Sequence, residues 1–253
     1  YLIQKGEVPN ALKGYRILKV NSSSLLGRVK INGLEKSVTD ALVAELKVAE
    51  KVILFVDEVH TLIGAAGDGP MDLANILKPA LDRGEVKAIG ATTIMEYETY
   101  IIRDRAFLRR FDRIDVAEPD EETTVEILMG TLPKIEHKTG IKIKYGGYLT
   151  RMLMSSIVSA TSEYKRVYGI SAMYPDVSLS VLSAAFSNAL FDNKDAVDVL
   201  DIYMAIKNSK RIYADTRIKE LEIFREKYKD VCAEENIVLP VVKIEEISSE
   251  NDL

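Results

Sequence analysis

Short apolar runs alternate with amphipathic ones through the first half of the chain. Arg16–Val20, Val52–Asp57 and Val86–Thr92 read as strands, while Leu34–Ala49 and Met71–Arg83 read as the helices between them. This alternation predicts a parallel sheet covered by helices, because parallel neighbours need a long crossover and a helix usually supplies it. Val52-Ile53-Leu54-Phe55-Val56 is apolar without alternation, the pattern of a central strand buried on both faces. Gly64 to Pro70, rich in glycine with one aspartate, supports neither period and is expected to be a mobile loop.

The pattern changes near Glu118-Pro119-Asp120. Pro119 disfavours helix before it, and Asp120-Glu121-Glu122 is an acidic helix start that the helix dipole favours. From 119 to about 207 the pattern is helical with no strong strand signal, carrying apolar stretches such as Met152–Val158 and Val177–Leu190. Beyond it, Ile218, Leu221, Phe224, Tyr228 and Val231 recur at three- and four-residue steps, an apolar stripe expected to pack within the fold. Glu245, Glu246, Glu250, Asn251 and Asp252 read as a solvated acidic tail. The expected organisation is therefore an α/β domain over 1–118, an all-helical domain over 119–207, and an amphipathic helix with acidic tail over 208–253.

Composition narrows the functional classes. With 47% hydrophobic residues in 253, the chain can bury a sizeable core. A net charge of -5 and a pI near 5.3 argue against sequence-blind nucleic-acid binding, which needs a cationic surface, and so against a helicase. Cys232 is the single cysteine, which excludes an internal disulfide and a cysteine-rich zinc site. No apolar run approaches the roughly 20 residues that span a bilayer, so no membrane partner is expected. The sequence starts at Tyr1 without a leader pattern and reads as an internal or trimmed segment.

Candidate chemistry gathers at the strand ends. Ile53-Leu54-Phe55-Val56 runs into Asp57-Glu58, and ligands of open α/β sheets sit at that end. Asp57 is placed to hold a magnesium ion, directly or through water, and Glu58 to polarise a water attacking a γ-phosphate. The alternative is a strand that ends in solvated acids. Ile89-Gly90-Ala91-Thr92-Thr93 is a second apolar run ending in hydroxyls, and Leu108-Arg109-Arg110-Phe111 offers two guanidinium groups beside an apolar anchor. Paired arginines are commonly salt-bridged surface; in this order they read as fingers offered to a neighbouring subunit's nucleotide. His60 is expected to be a hydrogen-bonded strand-end residue. His137 has no partner histidine or cysteine nearby, which argues against metal binding, and Tyr145, Tyr148, Tyr164, Tyr168 and Tyr174 read as packing residues.

The run Asp57 to Gly64, then Asn75 to Leu81, Arg83-Gly84-Glu85, Gly90-Ala91-Thr92-Thr93, Glu96-Tyr97 and Arg109-Arg110-Phe111 closely resembles the first AAA+ domain of the Clp unfoldases. The likeness runs from about Val8 to about Asn188 and weakens beyond Tyr174-Pro175-Asp176. It implies an AAA+ sheet flanked by helices, N-terminally incomplete, with an all-helical lid. It implies ATP and Mg²⁺ as cofactors, Asp57 and Glu58 as the Walker B pair with Asp57 on the metal, and Thr93 as the γ-phosphate sensor. Asp176 of the lid joins Asp57 and Thr93 among the nucleotide-binding residues, and Arg109 and Arg110 are the fingers. The family implies a hexameric ring of identical subunits that hydrolyses ATP and threads a polypeptide substrate, with an adaptor or protease as a possible partner, in the cytoplasm or an organelle matrix.

Three departures qualify this. The family's phosphate-binding loop, Gly-rich and ending in Gly-Lys-Thr, is expected upstream of Tyr1, so the chain alone should bind ATP weakly or not at all. The pore loop reads Lys30-Ile31-Asn32-Gly33, with Ile31 where an aromatic is usual. Pro175-Asp176 is followed by Val177-Ser178 rather than Lys-Ala. Members without the pore tyrosine include the type VI secretion ATPases, which recycle a contracted sheath, and Glu118 to Thr123 and Leu132-Pro133 also resemble that branch. Two functions compete: an ATP-driven remodelling motor, and a nonhydrolytic AAA+-like subunit or assembly scaffold.

Overall fold

The computed structural model describes residues 1–21, 28–31, 34–62, 73–165 and 173–241. The chain divides into two compact units, Tyr1–Asp115 and Val116–Leu253.

The first unit is built on a three-stranded parallel sheet in the order β1 (Arg16–Asn21), β4 (Val52–Asp57), β5 (Lys87–Gly90), with β4 in the middle. Helices α1 (Val38–Val48) and α2 (Leu73–Asp82) lie between successive strands of this sheet. Leu54 and Val56 are fully buried against Val43, Leu46, Val59, Leu62, Leu77 and Phe107. Such burial contributes about 1.5–3 kcal/mol per side chain. Their strand neighbours Ile53 and Phe55 point to the opposite face and are only half-buried, and Ile17, Leu18 and Ile89 are exposed. The expectation of a central strand buried on both faces is thus met on one face alone: among the described residues, the apolar cluster covers only that side.

Leu34–Ala49 is not one helix. Its first four residues form β3 (Leu34–Ser37), antiparallel to β2 (Arg28–Ile31), and the helix starts at Val38. Ile31 pairs with Leu34 at one end of this ladder. Ser37 then caps α1 by accepting a hydrogen bond from the Thr39 amide at 3.2 Å. The expected loop at Gly64–Pro70 lies outside the described residues.

The second unit is helical: α3 (Glu121–Thr139), α4 (Gly147–Ala160), α5 (Asp176–Phe191), α6 (Val199–Lys207), α7 (Ala214–Lys227) and α8 (Lys229–Glu234). Asp120 caps α3, accepting from the Thr123 amide at 2.7 Å, as the acidic start at that point predicts. One strand pairing was not expected, the two-residue parallel ladder of β6 (Lys142–Ile143) with β7 (Ala196–Val197). Two residues are too few to carry a period. The core joins Leu128, Leu153, Ile157, Leu182, Phe186, Ile202 and Tyr203 with Leu221, Phe224 and Tyr228 of the stripe that follows. That stripe packs within the unit, as expected. No helix among the described residues is long and apolar enough to cross a membrane.

Candidate functional site

Asp57 closes β4, opposite Asn21 of β1. Lys19, two residues earlier on β1 and on the same face, reaches its carboxylate at 2.8 Å. That hydrogen bond and charge hold the Asp57 carboxyl below its usual range, so it is ionised.

Glu58 follows with φ 53°, in the left-handed region that non-glycine residues seldom adopt. The turn is over-determined by its surroundings. The Ala91 amide donates to Val56 O and the Val59 amide to Ala91 O, both at 2.9 Å, while the Thr61 hydroxyl donates to Glu58 O at 2.7 Å. Gly90 makes this closeness possible: a Cβ there would lie 2.8 Å from Val59 Cγ1. Strain held this way is common where a side chain must be aimed. Glu58 itself remains solvent-facing.

The end of β5 supplies the other half of the site. Thr93 caps the short helix at Ile94–Glu96: its hydroxyl accepts from the Glu96 amide at 3.2 Å and donates to Glu96 Oε2 at 2.8 Å, and its amide reaches the same oxygen at 3.2 Å. The hydroxyl expected to sense a phosphate is therefore engaged in a capping box. Thr92 also donates to Glu96 Oε2, at 3.2 Å. These bonds, those of Thr93 first, hold Glu96 below its usual carboxyl range. His60, in the turn Val59–Leu62, places Nδ1 2.9 Å from Thr92 Oγ1 and stacks on Tyr100. It is a hydrogen-bonded residue just past the strand end, as expected. The Thr92–Glu96–His60 network was not foreseen from the pattern, although Thr-x-x-Glu after a strand is a legible capping signal.

The two arginines part company. Arg109 is exposed; Arg110 is 8% exposed and ion-paired to Asp82 at the end of α2, with Nε and Nη1 buried and without a hydrogen-bond partner among the described residues. Asp176 opens α5 in the second unit, exposed and 3.3 Å from Arg211. Of the residues expected to form a pore loop, Lys30 is exposed on β2 and Ile31 ends that strand, while Asn32 and Gly33 lie outside the described residues.

The chemistry of these donors can be tested against a bound nucleotide and metal. A strand-end carboxylate kept ionised suits Mg²⁺, which prefers hard oxygen ligands. Nothing in the 253 residues reads Gly-x-x-x-x-Gly-Lys-Ser/Thr, so the residues present fit the metal and hydrolytic side of an ATP site and not its phosphate cradle.

An acidic pair at the carboxyl end of a middle parallel strand, with threonines just past the end of the strand beside it, places the first unit in the class of ATP-hydrolysing α/β domains. In agreement, residues 7–118 match the family model for the ATPase family associated with various cellular activities (AAA). The similarity extends further, to the Clp chaperones. The chain is 35% identical over 239 residues to the chaperone protein ClpB of Porphyromonas gingivalis, covering 94% of this chain and 25% of ClpB. It is 47% identical over 138 residues to ClpB of Aquifex aeolicus, covering 54% of this chain and 14% of the relative. Among solved structures, an S. cerevisiae Hsp104–ADP complex superimposes with a TM-score of 0.62 at 30% identity, covering 90% of this chain and 38% of that one. An S. cerevisiae Hsp104:casein complex gives 0.63 at 30% identity, covering 89% and 36%. The chain thus spans about a quarter of the length of the first of these ClpB relatives.

Proposed function

We propose that this chain carries the hydrolytic part of the first ATPase domain of a Clp-type protein-remodelling motor. The observation that carries the reading is the clamped turn after β4, which holds Asp57 and Glu58 beside the threonine end of β5. In this reading Asp57 binds Mg²⁺, after exchange of its Lys19 partner or through water, and Glu58 takes a proton from the attacking water. Thr93 and Thr92 line the same end of the sheet, and Thr93 senses the nucleotide by leaving its cap. Arg109, already exposed, is the finger for the adjoining subunit; Arg110 joins it when Asp82 lets go. Bound ATP would supply the γ-phosphate, whose cradle these residues do not themselves provide. Asp176 contributes to nucleotide binding from the helical lid.

The assembly is a hexameric ring that threads polypeptide, a reading supported by the likeness to an Hsp104 structure containing casein. Ile31, an aliphatic residue in the pore loop, fits a narrow range of apolar segments, as in sheath recycling by the type VI secretion ATPases. Such a ring engages an adaptor or protease, and the compartment is the cytoplasm or an organelle matrix.

The second reading, a nonhydrolytic ring subunit, is favoured by one set of observations: Asp57, Thr93 and Arg110 are each occupied by an internal partner. Steady-state ATP hydrolysis by the full-length gene product decides between them. Glu58→Gln is expected to lower the rate about 10²-fold or more while nucleotide binding persists. Absence of hydrolysis in both proteins, with rings assembled, would overturn the motor and establish the scaffold.

A further inference from the structure

We propose that Glu58, His60 and Glu96 form a binding site for a zinc-class divalent ion. His60 Nδ1 lies 3.4 Å from Glu58 Oε2 and 3.3 Å from Glu96 Oε2, and one ligand atom from each of the three residues falls within 4.8 Å of the others. Zinc–nitrogen and zinc–oxygen bonds of about 2.0–2.1 Å in tetrahedral geometry separate neighbouring ligands by about 3.3–3.4 Å. Two edges of the tetrahedron are therefore already at ligand spacing. The third closes by rotation of Glu58, whose side chain is 57% exposed.

The two less exposed ligands are held in place. His60 is stacked on Tyr100, and Glu96 is gripped by the Thr93 amide and hydroxyl and by Thr92. These bonds end on Oε2, the oxygen at ligand spacing, so the metal takes the place of the Thr92 donor while the Thr93 cap still orients the carboxylate. Charge gives an independent reason. Asp57 is neutralised by Lys19 and Asp82 by Arg110, but among the described residues neither Glu58 nor Glu96 has a lysine or arginine partner. Two carboxylates facing one imidazole leave an uncompensated negative charge that a divalent cation cancels. The imidazole selects zinc-class ions over Mg²⁺ and Ca²⁺, which prefer oxygen alone. Ligation uses the Nε2–H tautomer of His60, which leaves Nδ1 for the metal.

Binding does not depend on the ATPase reading; its consequence does. An ion on Glu58 withdraws the carboxylate assigned to the attacking water, so zinc is a reversible inhibitor of hydrolysis that a chelator relieves.

The test is competition of Zn²⁺ between a chromophoric indicator and the nucleotide-free 253-residue chain. The sequence has two histidines and one cysteine, so background sites are few. One equivalent is expected to bind; His60→Asn and Glu96→Gln should each weaken it at least about tenfold, and His137→Asn should leave it unchanged. With Co²⁺ in place of zinc, the visible absorption of a low-coordinate nitrogen and oxygen site is expected and should vanish in His60→Asn. Circular dichroism checks that each variant is folded. No saturable binding, or equal binding by a folded His60→Asn variant, would overturn the site and leave a hydrogen-bonded network. Zinc bound at full affinity without slowing hydrolysis by the full-length protein would keep the site and remove Glu58 from the hydrolytic role.

Discussion

Each unit contains a capping box, and the same hydrogen-bond pattern serves opposite electrostatics in the two. In the first unit Thr93 and Glu96 form it at the surface, with the Glu96 side chain 31% exposed and its carboxyl held low by the Thr93 hydroxyl and amide. In the second, Asp198 and Asp201 form it at the start of α6, with Asp201 3% exposed, bonded to the Asp198 amide at 2.9 Å and to Lys194 at 2.9 Å. There burial dominates and pushes the Asp201 carboxyl up. Local sequence is enough to form the box; whether its carboxylate gains or loses by being charged depends on what packs around it.

The largest expected effect comes from the buried box. Asp201→Ala strips partners from Lys194 and the Asp198 amide and should cost about 3 kcal/mol in urea unfolding, as leaving buried polar groups unpaired does. A loss below about 1 kcal/mol would make the two boxes energetically alike. Next is Gly90→Ala, which disturbs the surface box without touching it: the added Cβ meets Val59 at 2.8 Å and pushes apart the turn and the end of β5, from which the chain runs on to Thr93. A cost of about 1–3 kcal/mol is expected. In a double-mutant cycle with Val59→Ala, the combined loss should fall short of the sum of the single losses. Thr93→Ala removes the exposed cap for about 1 kcal/mol, largely restored by Thr93→Ser.

Smallest, and most diagnostic, are the pH dependences. Glu96 lies below its usual value of 4.5 when folded, so its contribution is complete above that pH and is lost as pH falls through the folded value. Asp201 lies above its usual value of 3.8, so its contribution is complete below that pH and is lost as pH rises through the folded value. Urea midpoints measured from about pH 3 to about pH 7 should show Glu96→Gln flattening the acid decline and Asp201→Asn removing the opposite slope. Slopes of the same sign would break the comparison.

Much of the architecture was legible. The strand Val52–Asp57 has the predicted bounds because five consecutive apolar residues ending in two acids leave few alternatives. The acidic start of α3 and the stripe of Leu221, Phe224 and Tyr228 were equally readable. Less readable was Leu34–Ser37, where the pairing of β2 with β3 overrides a helical continuation. Pro133 sits inside α3, which runs on to Thr139, so a residue that usually interrupts a helix does not end this one.

At the site, the residue types were visible and their engagements were not. Asp57, Glu58, Thr93, Arg109 and Arg110 stand out by spacing and resemblance. Nothing local tells Arg109 from Arg110, yet one is exposed and the other is sequestered by Asp82, 28 positions earlier. Nor does spacing join His60 to Thr92 and Glu96, more than 30 residues away along the chain.

By itself the sequence determined the order of elements, the acids at the strand end and the local caps, because hydrophobic period and short-range hydrogen bonding act within a few residues. Only the tertiary structure decided which face of the sheet is buried, which carboxylates keep a cationic partner, and which arginine is free. Those outcomes depend on pairings between distant segments, where desolvation and charge are set by neighbours that the local sequence does not name.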